Sequence, residues 1–178
     1  LSSHLTALKS PDPNSQLISL WSGLEAFLPQ KSGEQSGSSI DYYLNFMIPA
    51  LMTGYCERLL KAVYNSFRSS YGNDFMTIIL KVKIEGGNLD KFTAVLLLPE
   101  SNDLFEDLLS LCNGNPLATF QIYNLKRKLS SVKSIRKTLD QHKKRLNWQI
   151  RRIYRTRNSI VHAGQSYQFI NSLLTNLH

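Results

Sequence analysis

The chain has 178 residues, 42% hydrophobic and 19% charged, ordinary globular composition with enough length for one well-buried core. Its longest apolar run, Ala94 to Leu98, is far short of the ~20 residues a membrane-spanning helix needs. Its two cysteines, Cys56 and Cys112, stand far apart without histidine ligands nearby, which argues against a zinc site and a disulfide framework and points to a reducing cytoplasm. The chain opens at Leu1 with no leader-like segment, so residues 1–178 read as a single domain from the C-terminal part of a longer protein. The net charge is +8, unevenly spread: residues 121 to 160 hold thirteen of the twenty-one Lys and Arg and one acid, Asp140, while the remainder is net negative. A basic segment on a mildly acidic body is the electrostatic footprint of a polyanion-binding protein; the plainer reading is a solvated helix face.

Taken in order, the chain reads as helices almost throughout. In "NSQLISLWSGLEAFLP", Leu17, Leu20, Trp21, Leu24, Phe27 and Leu28 fall at the spacing of a helix with one buried face, closed by Pro29. Gln30 to Ser39 is rich in Ser and Gly and predicts a surface loop within the domain. From Ile40 the residues Tyr43, Leu44, Met47, Ile48, Leu51, Tyr55, Leu59 and Val63 predict one long helix or two, with Pro49 as a kink or a break. The apolar runs across residues 73–98 fit strand or helix by periodicity, with helix the preferred reading. Ser101 is placed to cap a helix carrying Leu104, Phe105, Leu108 and Leu109, stopped near Gly114. Pro116 then fits the first turn of a long basic helix bearing Ile122, Leu125, Leu129, Val132 and Leu139. Two further helices are expected, from Leu146 to Ala163 and from Ser166 onward, the last with Phe169, Ile170, Leu173, Leu174 and Leu177. The fold class is all-α, a helical bundle.

The penultimate helix has an oddity. Its apolar stripe runs Leu146, Ile150, Ile153, Tyr154, then Ile160 and Val161, and the position in the gap is Arg157. Burying a guanidinium without partners is costly, so Arg157 must meet a carboxylate or face an opening that admits an anion. Asn158 and His162 are four apart and share a face beside it. Arg151, Arg152 and Arg155 flank it, and Gly164 ends the helix with His162 in its last turn.

"IYRTRNSIVHAG" resembles the signature of HEPN domains, in which an arginine followed by a polar residue precedes a histidine; here the match is Arg157, Asn158 and His162, with four residues between the arginine and the histidine. The preceding "RRIY" and the early "LWSGLEAFL" are similar to the ApeA-like branch of that family, prokaryotic HEPN domains associated with defence. The resemblance covers Leu17 to Leu28 and Gln149 to Gly164. It implies a metal-independent endoribonuclease, without cofactor, working as a homodimer whose motif helices face one another. It also implies an effector of antiphage defence, coupled to an N-terminal sensing region. Under that resemblance His162 moves protons, Arg157 holds the scissile phosphate, and Asn158 orients one or the other. Glu25 and Tyr154 support them, and Arg151, Arg152 and Arg155 hold the RNA backbone.

Other readings of the same residues stay open. Arg157 and Glu25 fit a structural ion pair. His162 fits a helix-end cation favoured by the helix dipole. His4, His142 and His178 read as surface residues, Tyr154 and Trp148 as packing residues rather than base-stacking ones, and Lys126 to Lys128 and Lys143 to Arg145 as solvated. A catalytically silent HEPN module that dimerises and binds RNA or nucleotide, and a helical interaction domain, are the alternative functions.

Overall fold

The computed structural model describes residues 12–29, 38–165 and 167–175. Among them are eight α-helices, a short 3-10 turn at Pro99–Ser101 and no strand, an all-α fold. The helices are α1 (Pro13–Glu25), α2 (Ser39–Met52), α3 (Tyr55–Leu80), α4 (Asn88–Leu97), α5 (Asn102–Leu111), α6 (Pro116–Leu129), α7 (Val132–Ala163) and α8 (Ile170–Leu174). No helix of the described residues is long and apolar enough to cross a membrane. By internal packing, the chain that the sequence reads as one domain divides into two compact units. The first comprises residues 1–51 and 143–178, the second residues 52–142.

In the first unit, the Asp12 carboxylate accepts from the backbone N–H groups of Asn14 at 3.2 Å and Ser15 at 3.0 Å. With Pro13 at the first helical position, this fixes the start of α1. Leu17 and Trp21, one turn apart, are fully buried. The helix ends at Glu25, so its apolar stripe stops earlier than the sequence predicts: Phe27 lies in the following turn and is 83% exposed. Most of the predicted loop, residues 30–37, lies outside the described residues. Ser38 starts α2 by accepting from the Asp41 N–H, while its hydroxyl donates to the Asp41 carboxylate. Pro49 does not end α2, which runs to Met52; the break comes at Gly54, whose φ of 67° is left-handed. The predicted closing helix is short, Ile170–Leu174, with Ile170, Leu173 and Leu174 buried and Phe169 outside it; Leu177 lies outside the described residues.

The second unit has an aromatic core: Tyr64, Phe67, Phe75, Phe92 and Phe105 pack with Ile79, Val95, Leu108 and Ile122. Within α3 the backbone departs from helical geometry at Gly72, with φ 50° and ψ −119°. The ambiguous middle is helical at Met76 to Leu80 and at Asn88–Leu97, but Val82 to Ile84 lie between helices. Gly87 donates its N–H to the Asp90 carboxylate at 2.8 Å, opening α4. Ser101 occupies the cap position of α5 without a side-chain capping bond. Asn115 caps α6 by accepting from the Ala118 N–H at 3.1 Å.

One expected element is divided differently. The basic helix expected from Pro116 to Leu139 breaks at Ser130 and Ser131, where the Ser131 hydroxyl accepts from the Ser134 N–H at 3.1 Å and starts a new helix. The helix carrying Leu139 and the one expected to start at Leu146 are one element, the 32-residue α7. The six polar residues Asp140 to Arg145 interrupt the apolar stripe, yet Gln, Lys and Arg are good helix formers and carry the backbone through.

Candidate functional site

The candidate residues Glu25, Tyr154, Arg157, Asn158 and His162 all belong to the first unit. Arg157 lies on α7, where Ile150, Ile153 and Thr156 are buried. Its side chain is 21% exposed and meets the Glu25 carboxylate, with Nη2 at 3.6 Å. The guanidinium Nη1 donates to the Asn158 side-chain oxygen at 2.9 Å. Its Nε is buried without a hydrogen-bond partner. The carboxylate that the sequence allowed as a partner for Arg157 is therefore the one it meets, and both terminal nitrogens of the fork are engaged.

Around this pair stands an aromatic wall. Trp21, fully buried, packs against Tyr154 with ring centroids 5.5 Å apart and against the edge of Tyr43 at 6.4 Å. Tyr43 is a partner that the sequence reading placed only in an apolar stripe. Burial pushes its phenol above the ordinary tyrosine value, and the nearby Glu25 carboxylate pushes in the same direction. The signal was a tyrosine at a position where phenylalanine packs equally well, and a buried phenol hydroxyl needs a partner.

His162 is exposed in the last turn of α7 and makes no hydrogen bond or ion pair among the described residues. Gly164, at φ 61°, closes that turn, its N–H donating to the Ile160 carbonyl at 3.0 Å. Arg157 and Asn158 are thus brought together with Glu25 and Tyr43, while His162 stands apart at the helix end, one turn beyond Asn158. Val161, expected in the apolar stripe, is 45% exposed.

The flanking arginines differ. Arg151 is held by the Asp41 carboxylate and donates through Nε to Asn147 at 2.7 Å. The Asp41 carboxyl is kept below its usual range first by the Ser38 hydroxyl and then by Arg151. Arg152 lies over the Phe169 ring at 4.7 Å and near the Trp148 ring at 5.4 Å. Trp148, expected to pack, is 62% exposed. Arg155 is exposed and without partners among the described residues. In the second unit, His142 is not a bare surface residue, because its ring stacks on Tyr55 at 3.6 Å, nearly parallel. Lys126 is not simply solvated either, its ammonium lying 3.5 Å from the Phe105 ring centroid.

Among the described residues, no group of three or more His, Cys, Asp and Glu gathers to hold a metal ion. The fold and the site together define an all-α protein with a part-buried Arg, Glu, Tyr and Asn cluster and an exposed histidine on the same long helix. No family model, no curated protein and no solved structure matches the chain.

Proposed function

We propose that the first unit carries a metal-independent endoribonuclease site of HEPN type, built on Arg157, Asn158 and His162. The observation that carries this reading is the division of labour along the last two turns of one helix. A guanidinium and an amide are fixed by Glu25 at 3.6 Å and by each other at 2.9 Å, and an unengaged imidazole is exposed just beyond them. Imidazole is a common general acid and base, so an exposed one on the helix that fixes a guanidinium suits phosphodiester cleavage.

In the reaction, the ribose 2′-oxygen attacks phosphorus and loses its proton to an imidazole. The bond from phosphorus to the 5′-oxygen breaks, and that oxygen takes up a proton. The products are a 2′,3′-cyclic phosphate and a 5′-hydroxyl. Arg157 offsets the charge that accumulates on the phosphate oxygens. Glu25 and Asn158 hold the arginine in place, with Tyr43 and Tyr154 in the aromatic wall around Trp21, and Arg152 and Arg155 are the flanking cations that would meet the RNA backbone. Arg151 is tied to Asp41 and serves α7 itself. A homodimer formed through α7 supplies a second imidazole, so that one accepts a proton while the other donates. The biological setting implied by the resemblance is antiphage defence by RNA cleavage in the cytoplasm, under the control of a sensing region.

The test is incubation of the protein and its His162→Ala variant with single-stranded RNA in EDTA, mapping the ends of the products. Cleavage to cyclic phosphates, lowered roughly 10²- to 10⁴-fold in the variant with an unchanged melting temperature, is the expected result. Equal cleavage by the two proteins sinks the mechanism. A second reading is favoured by one specific observation, the engagement of both Arg157 terminal nitrogens within the protein. On that reading the pair is structural and the domain is a silent RNA-binding module. An RNA affinity that falls steeply with salt, without cleavage, selects it.

A further inference from the structure

A different cluster lies in the second unit and shares no residue with the proposed nuclease site. The last turn of α6 and the first turns of α7 enclose a pocket of about 260 Å³ lined by Arg127, Lys128, Ser134, Lys137, Thr138 and Gln141. Every one of these six side chains is polar and none is acidic. Between Asp107 and Asp140 the sequence contains no acid at all. Lys128 and Lys137 have no carboxylate partner among the described residues. Arg127 is steadied by donating through Nη2 to the Asn124 side-chain oxygen at 3.0 Å, which leaves the rest of its fork available.

Thr138 gives the cluster a second, independent feature. Its side chain is 6% exposed, yet its hydroxyl makes no hydrogen bond among the described residues. Elsewhere in these helices Thr77, Thr93 and Thr119 donate to the carbonyl four residues back, at 3.0, 2.8 and 3.2 Å. Thr138 departs from that habit, as the equally buried Thr156 of α7 also does, and its neighbours in the pocket are three cations. Its hydroxyl is not among the fully buried polar atoms that lack a partner; it lines the pocket, where it can bond a ligand.

We infer that this pocket binds a phosphate group, held by the charges of Arg127, Lys128 and Lys137 and by hydrogen bonds from Thr138, Ser134 and Gln141. The guanidinium and the two ammoniums supply directional and point-charge contacts to its oxygens. The hydroxyls and the amide make the site a shaped one, distinct from a solvated basic face. The same chemistry serves a free pyrophosphate-bearing ligand or one phosphodiester of an RNA strand. It does not depend on cleavage chemistry elsewhere in the chain.

The test is calorimetric titration of the whole chain, at fixed ionic strength, with inorganic pyrophosphate and separately with a short single-stranded oligoribonucleotide. Thr138→Val is expected to weaken binding roughly tenfold, the worth of one hydrogen bond to a charged group. Lys128→Gln/Lys137→Gln is expected to weaken it further. Lys133→Gln/Arg136→Gln removes the same charge from residues outside the pocket and is expected to change affinity less than threefold. Losses seen with pyrophosphate identify a free phosphate ligand; losses confined to the oligoribonucleotide identify a strand phosphate. Equal losses in the two double variants, or no binding of either probe, overturn the inference.

Discussion

The two compact units use their interiors in opposite ways. Residues 52–142 bury an almost purely apolar core, in which Phe75 and Phe92 are fully buried and their rings meet edge to face at 5.7 Å. The ion pairs of that unit, Lys61 with Glu57 and Lys81 with Asp107, are about half exposed and contribute little. A buried polar atom without a partner occurs in both units, the Trp21 indole N–H in the first and the Tyr71 hydroxyl in the second. The first unit also places an ion pair, Arg157 with Glu25, at only 21% and 25% exposure. Polar groups taken out of water in this way are poor material for stability. The first unit therefore gives up cohesion where it holds its candidate chemistry, and the second holds its own by packing.

Phe92→Ala probes the apolar side of that contrast and carries the largest stability effect. Removing a fully buried aromatic ring costs about 3–5 kcal/mol, read from the denaturation midpoint by circular dichroism. A loss under about 1 kcal/mol would mean that the core repacks freely and that the contrast is overstated.

Glu25→Gln and Arg157→Ala probe the polar side. Each leaves its partner largely out of water and unpaired, at a cost of about 1–3 kcal/mol. Both tryptophans, Trp21 and Trp148, lie in the first unit, so their fluorescence reports its unfolding directly. The sharper experiment is the double variant Glu25→Met/Arg157→Met. Replacing a pair by apolar residues of similar size is often neutral or stabilising, so recovery to the stability of the parent is expected, with RNA cleavage lost. A double variant no more stable than the single ones would show that the pair organises this unit.

The helical class was legible because the apolar residues repeat at helical spacing through most of the chain. Helix ends were less so. The separation at Ser130 and Ser131 depends on a serine hydroxyl reaching a backbone N–H three residues on, one weak signal among many serines. The continuity of α7 through Asp140 to Arg145 is hidden by six polar residues in a row, which periodicity reads as a gap. Arg157 stood out because a cation interrupts an apolar stripe, and Glu25 because it flanks another. Tyr43 did not, since a tyrosine in a stripe reads as apolar until its hydroxyl is placed. The basic pocket exists only once α6 and α7 pack, so charge counting finds its cations and misses Thr138.

The phenols offer the finest distinction between the units. Tyr43 is raised above the ordinary tyrosine value near 10 by burial and then by the Glu25 carboxylate; Tyr71, in the second unit, is raised by burial and then by Cys112. A group whose value is higher in the folded state contributes stability below its unfolded value, and that contribution is lost as pH rises through the folded one. Both units should therefore weaken above about pH 10. Tyr43→Phe should make the melting temperature of the first unit, followed by tryptophan fluorescence, fall less steeply there than in the parent. Tyr71→Phe should leave that slope unchanged. If Tyr71→Phe flattens the tryptophan-detected slope as much as Tyr43→Phe does, the two units unfold as one, and the polar cluster draws on the aromatic core for its stability.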